Sequence, residues 1–281
     1  MKLLRYGPKG QEKPGVLDAD GVIRDLGGMM DDITGDTFTG GDLERLAAMD
    51  FEDLPEVEGN PRIGPCIGNV GKFICIGLNY SDHAAEAGQT PPDEPIVFMK
   101  ATTAINGPDD DVEIPRTSQK TDWEVELGFV IGKRAKYVGV AEALDYVAGY
   151  CTINDVSERS FQSERSGQWT KGKSHDTFGP IGPWLVTADE VPDPQVLDLW
   201  LDVDGQRKQT GNTATMIFDV ATIISHLSQF MTLEPGDVVS TGTPPGVGMG
   251  HKPEPVYLKV GQTVTLGVDG LGTQTQKMVQ A

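Results

Sequence analysis

The chain has 281 residues, 38% of them hydrophobic, enough for one large domain with an appendage or for two domains. Asp and Glu outnumber Lys and Arg 42 to 23, a formal charge of −19 with an isoelectric point near 4.5, which excludes non-specific binding to nucleic acid and to anionic membrane surfaces. Glycine (35) and proline (19) favour short strands and turns over a helical bundle, and Cys66, Cys75 and Cys151, widely spaced and without a CxxC, fit reduced core thiols.

Residues 1 to 70 read as a small unit of their own. KLLRY and GVLDADGVIRDL predict short strands, with Asp-Ala-Asp-Gly as a turn, and DLERLAAMD predicts a helix starting near Gly41. At Lys72 the texture changes. KFICIGLNY is an apolar strand, SDHAAEAG a short helix with Ser81 as its N-cap, and IVFMK another strand. TDWEVELGFVIG follows, then a helix at AEALDYV and a strand at AGYCTIND. SERSFQSERSG reads as a polar helix or loop, and WTKGKSHDTFGPIGPWLVT as mostly loop running into a strand. LDLWLDVDGQRKQTG is a hairpin turning at Asp204-Gly205. MIFDVATIISHLSQF is an amphipathic helix, and the tail is strand and turn. No segment has the length of a signal peptide's apolar run or a membrane span, so the expected location is the cytoplasm. The many strands and scattered helices lack regular strand–helix alternation and predict an α+β protein, mainly β, with a strongly curved mixed sheet.

In TDWEVELGFVIG, Trp123, Val125, Leu127, Phe129 and Ile131 share one parity and Asp122, Glu124 and Glu126 the other. On a strand the acids therefore lie side by side and repel. They face either water or a cation. Asp155, ending a second apolar strand, is a candidate to join Glu124 and Glu126 as a third ligand. Three carboxylates suit hard Mg²⁺ or Mn²⁺ and leave positions for substrate or water, whereas zinc favours histidine and thiolate clusters that the sequence lacks.

Arg159, Arg165, Lys171 and Lys173 crowd a short stretch of an otherwise acidic chain. They form either a solvated patch or an anion pocket. Arg159 and Gln162 follow Asp155 by four and seven residues and would share a helical face suited to gripping a carboxylate. TGTPPGVGMG offers Thr241, Thr243 and backbone N–H groups in a tight turn. His83 and Glu86 stand at i,i+3, either as an ordinary exposed pair or as a base dyad able to activate water on a lid.

The ordered set NYSDHAAE, IVFMKATTAING, DWEVELGFVIG, GYCTINDVSERSFQ, GKSHDTFGPIGPWL and STGTPPGVG resembles the fumarylacetoacetate hydrolase family over residues 72 to 281. MKLLRYGPKGQEKPG and GQWTKGKSHDTFGP resemble a bacterial subgroup of 2,4-diketo-3-deoxy-sugar-acid hydrolases (L-fuconate and L-rhamnonate), which also carries the name ureidoglycolate lyase. The resemblance implies a β-roll catalytic domain over residues 71–281, a small N-terminal α/β domain over 1–70, a homodimer, and Mg²⁺ or Mn²⁺. Its metal ligands fall on Glu124, Glu126 and Asp155, its catalytic residues on His83, Glu86 and Lys173. Arg159, Gln162 and Thr243 fall on its substrate-binding positions, and Lys100, closing IVFMK, is placed with them.

The expected reaction is hydrolysis of the bond between carbons 3 and 4 of a small anionic 2,4-dioxo acid, giving pyruvate and a second acid, lactate for a deoxy-hexonate derivative. The same enolate chemistry serves ureidoglycolate lyase, oxaloacetate decarboxylase or 2-hydroxyhepta-2,4-diene-1,7-dioate isomerase activity. A non-catalytic 2-oxo acid binding protein is a further alternative.

Overall fold

A computed structural model describes residues 1–86 and 88–281. Its largest sheet has ten strands. From one edge the main path runs Ile23–Asp25, Lys13–Leu17, Lys2–Tyr6, Gly179–Thr187, Val147–Asn154, Val125–Ile131, Val238–Ser240, Phe73–Gly77 and Ile96–Lys100. The short strand Ile105–Asn106 pairs in parallel with Gly179–Thr187, off that path. A second sheet of five strands runs Gln206–Asn212, Asp198–Val203, Thr263–Val268, Gly272–Gln280 and Val112–Ile114. A strand-rich mixed fold is therefore present. Both sheets are open paths with free edges, so the strand order supports the mixed, strand-rich fold and not specifically the roll that the resemblance implies.

The first strand pairs Lys2 with Val186 and Leu3 with Leu185, so the N-terminal segment extends the large sheet. Leu3, Val16, Leu26, Ile33, Leu46, Cys66 and Ile67 share one core with Phe73, Val130, Cys151, Ile181 and Val238. Arg62 adds a polar tie, donating to Glu12 Oε1 at 2.9 Å and to Asp110 Oδ1 and Oδ2 at 2.7 and 2.6 Å. All three cysteines are buried and unbridged.

Val125–Ile131 lies between two strands and is buried along its whole length. Its odd positions, with Trp123, enter one core, while Val130 enters the other. Neither face meets bulk water. Glu126 is thus carried inside the molecule by the neighbours of its own strand, and Glu124, just before that strand, is buried with it.

Helix Val220–Phe230 behaves as its periodicity predicts. Asp219 caps it, accepting from Thr222 N at 2.7 Å, and Val220, Ile223, Ile224 and Leu227 form its buried stripe. Ser81 differs from expectation: it is the first residue of helix Ser81–Glu86 rather than its cap. AEALDYV tightens into a 3₁₀ turn, Val140–Tyr146. Among the described residues no helix is long and apolar enough to cross a membrane.

Candidate metal and anion site

The ladder between Val125–Ile131 and Val147–Asn154 pairs Glu126 with Ile153 and Val125 with Asn154. Asp155, the next residue, donates its N–H to Glu124 O at 2.9 Å. This register brings carboxylate oxygens of Glu124, Glu126 and Asp155 within 4.8 Å of one another, and all three residues are buried. An all-oxygen set so closely convergent fits a hard divalent cation.

The like charges have cationic neighbours. Lys173 Nζ donates to Glu124 Oε2 and to Asp155 Oδ2, both at 2.7 Å. Lys100 Nζ pairs with Asp155 Oδ1 and donates to Val156 O at 3.1 Å. Both lysines are fully enclosed, each 2% exposed. Lys173 also lies 5.0 Å from the centre of the Phe98 ring, which Trp169 meets edge-on. It ends helix Thr170–Lys173, and Gly172 before it sits where a Cβ would come within 2.5 Å of Gln162 N. Only glycine lets these two turns lie so close.

Arg159 and Gln162 meet as the spacing suggested, although the turn that carries Gln162 and starts just after Arg159 is π-helical, Ser160–Glu164. Arg159 Nη1 donates to Gln162 Oε1 at 3.1 Å, and its Nε to Asp122 Oδ2 at 2.8 Å. Arg159 Nη2 stands 2.7 Å from Glu124 Oε1 without the alignment of a hydrogen bond, so that contact is one of charge.

The two glutamates titrate in opposite directions. Burial pushes the Glu124 carboxyl up, but Lys173 and Arg159 outweigh it and hold the group at about 2. Burial, with repulsion from Asp155 and Glu124, raises Glu126 well above the usual carboxylate range, even though Ser240 Oγ at 2.5 Å and Gly242 N at 2.8 Å both donate to its Oε2.

His83 and Glu86 form the expected pair, with Nδ1 3.3 Å from Oε2. Glu86 also accepts from Gly246 N at 3.2 Å, which ties the short helix to the turn following Thr243. The Thr243 hydroxyl donates to Val125 O at 2.9 Å and accepts from Gln209 Nε2 at 2.8 Å, so its proton is committed to the fold. His175, His226 and His251 contact Phe178, Phe230 and Trp123.

Four residues without an assigned role in the sequence reading belong to this neighbourhood. Asp122, counted with the acids, is fully buried and accepts from Gly248 N at 2.6 Å and Met249 N at 2.9 Å while holding Arg159. Ser240 opens the STGTP motif, and Asn154 accepts from Glu124 N at 3.2 Å. Gln209, in the hairpin sequence QRKQTG, carries no local signal.

A buried acidic triad with lysine and arginine against its oxygens could hold a metal ion. The model of the fumarylacetoacetate (FAA) hydrolase C-terminal region matches residues 72–279, and the chain belongs to that family. A Burkholderia multivorans protein, provisionally named a hydrolase, is 67% identical over 276 residues, covering 98% of each chain. Fumarylacetoacetate hydrolase from Exiguobacterium antarcticum is 34% identical with a TM-score of 0.87, covering 100% of both chains. The 2-hydroxyhepta-2,4-diene-1,7-dioate isomerase of Mycobacterium marinum is also 34% identical, with a TM-score of 0.78 over 100% of this chain and 98% of that one. Maleylpyruvate hydrolase from Sphingobium sp. SYK-6, in complex with manganese(II) and pyruvate, is 28% identical with a TM-score of 0.81, covering 100% of both chains.

Proposed function

We propose that the chain is a divalent-metal-dependent hydrolase that splits a 2,4-dioxo acid into pyruvate and a second acid. The carrying observation is the convergence of Glu124, Glu126 and Asp155 within 4.8 Å, buried beside Lys173 and Arg159. The three carboxylates would hold Mg²⁺ or Mn²⁺. When bound, such an ion supplies Lewis-acid polarisation to the 2-oxo and carboxylate oxygens of the substrate. Similarity to a hydrolase holding manganese(II) and pyruvate supports this choice of ion and product.

Arg159 and Gln162 bind the substrate carboxylate in this scheme, Arg159 through N–H groups not spent on Asp122 and Gln162. In this scheme Lys100, and Thr243 with its hydroxyl proton held by Val125 O, are further contacts to the substrate. His83, held by Glu86, takes a proton from water, and the resulting hydroxide oxygen bonds to carbon 4. The bond between carbons 3 and 4 breaks, and its electron pair passes to the pyruvyl half. Lys173 offsets the charge that develops on the 2-oxo oxygen. A proton returned to carbon 3 completes pyruvate, and carbon 4 leaves as a carboxylic acid. The substrate class that we favour is 2,4-diketo-3-deoxy-L-fuconate or L-rhamnonate, with lactate as second product, acted on by a homodimer.

The similarity to the M. marinum isomerase supports a second reading, double-bond isomerisation of a 2-hydroxy dienedioate at the same site. One experiment separates the two. A panel of 2,4-dioxo acids and 2-hydroxydienedioates is incubated with the protein and Mn²⁺, with and without chelator, and pyruvate is measured alongside ultraviolet absorbance. Chelator-sensitive pyruvate release supports the hydrolase. An absorbance change on the dienedioates, with no pyruvate from any dioxo acid, replaces it with the isomerase.

A further inference from the structure

Strand Gln206–Asn212 belongs to the outer hairpin, and its residues are exposed or half-buried except Gln209, which has no exposed surface. A polar side chain turned inward from a solvent-facing strand needs a reason. It lies in the backbone of Val125, the residue between Glu124 and Glu126.

On one edge of Val125–Ile131 the odd-numbered residues direct N–H and C=O toward strand Val238–Ser240 and its flanks. Ile131 pairs with Gly236 and Asp237, and Leu127 O accepts from Thr241 N at 3.1 Å. Beyond Thr241 the neighbouring chain turns away at Gly242, and Val125 has no ladder partner there. Buried backbone groups left unpaired are costly. Gln209 Oε1 accepts from Val125 N at 2.9 Å, while the Thr243 hydroxyl donates to Val125 O at 2.9 Å. Gln209 Nε2 donates to Thr243 Oγ1 and to Pro244 O, both at 2.8 Å. The three residues close a ring of hydrogen bonds. Gly246 keeps the hairpin close enough for this reach, since a Cβ there would stand 2.0 Å from Lys208 O.

We infer that Gln209 is a positioning residue of the metal centre, fixing the Val125 peptide and with it the spacing of the Glu124 and Glu126 carboxylates. This rests on reading the acidic triad as a divalent-cation site. Gln209 itself touches neither a carboxylate of the triad nor the reacting atoms. It acts on the ligands as outer hydrogen-bond partners act in metal sites generally, by holding them in orientation.

The test is a titration of the intact chain with Mn²⁺ alone, followed by electron paramagnetic resonance, for the parent, Q209M and Q209E, with folding checked by circular dichroism. Q209M keeps the length of the side chain and removes all three of its hydrogen bonds. Its Mn²⁺ affinity is expected to fall ~10-fold or more, the usual effect of losing such a partner. Q209E, as the neutral acid that burial beside Pro244 O favours, can accept from Val125 N and donate once, so its affinity is expected between the two. Parent-like affinity in folded Q209M overturns the assignment, as does a Q209E affinity no better than that of Q209M. Should Q209M not fold, Q209E takes its place, expected about threefold below the parent, and equality with the parent overturns the assignment. A parent that binds no Mn²⁺ overturns the metal reading itself and this inference with it, and that control separates the two failures.

Discussion

Lys173 Nζ stands 2.7 Å from Asp155 Oδ2 and as close to Glu124 Oε2, so one ammonium group bridges two of the three proposed metal ligands. A divalent ion entering the triad competes with it for the same oxygens. Lys173→Met is therefore expected to bind Mn²⁺ at least as tightly as the parent while losing turnover by ~10²-fold, the scale of one charge-stabilising group. Mn²⁺ should raise its melting temperature more than the parent's, because without an ion the carboxylates are left facing one another. Thermal melts with and without MnCl₂ and a pyruvate-release assay check both halves. Parent-like turnover would remove Lys173 from the chemistry.

His83 and Glu86 lie on a helix apart from the strands that carry the triad. His83→Gln should lower hydrolysis by ~10²–10⁴-fold while leaving Mn²⁺ affinity unchanged. Glu86→Gln should do less to the chemical step and more to the helix, because it weakens the tie to Gly246 as well. Steady-state rates and Mn²⁺ titration of both variants decide this. A weakened ion in His83→Gln contradicts the separation of roles.

Burial, with Asp155 and Glu124 nearby, raises the Glu126 carboxyl, so in the metal-free chain the group holds its proton above the usual carboxylate range. An ion that takes Glu126 as ligand must displace that proton. Mn²⁺ binding below the raised value is expected to release it, with affinity climbing as pH rises toward that value and levelling once Glu126 ionises unaided. Calorimetry in two buffers of different ionisation enthalpy measures the release. Glu126→Gln should abolish it, and a parent that releases no proton contradicts the prediction.

Arg62 joins the N-terminal segment to the rest through Glu12 and Asp110. Burial raises the Asp110 carboxyl, but the Arg62 guanidinium outweighs it and leaves the group below its usual range. A depressed carboxyl stabilises the fold above its unfolded value, and this contribution disappears as pH falls through the folded one. Arg62→Ala should thus cost about 1–2 kcal/mol at pH 7, the scale of a partly screened charged hydrogen bond. The difference from the parent should shrink in acid. Urea unfolding at pH 7 and near pH 3.5 tests the sign, and an equal gap at both rejects it.

Glu124 and Glu126 could be paired from the sequence because strand parity is a local property, with Trp123 and Val125 marking the opposite face. Arg159 and Gln162 were legible for the same reason, since any helical turn brings i and i+3 together. Lys100 and Asp122 were less so. Both look like ordinary polar residues at strand ends, yet each is buried against an opposite charge from a distant segment, Asp155 and Arg159. Gln209 was invisible, because QRKQTG has the composition of a solvated hairpin and only contact with the turn after Thr243 buries one of its side chains.

The sequence by itself determined what short-range geometry controls: the alternation that aligns Glu124 with Glu126, the turn at Asp204-Gly205, and the buried stripe of helix Val220–Phe230. Asp155 and the two lysines were candidates from their motifs, but tertiary structure alone decided that Asp155 converges on the two glutamates, that Lys100 and Lys173 lie against its oxygens, and that an amide from the outer hairpin secures Val125. Strand register and sheet-to-sheet contact join residues distant along the chain, and no local periodicity encodes which of them will meet.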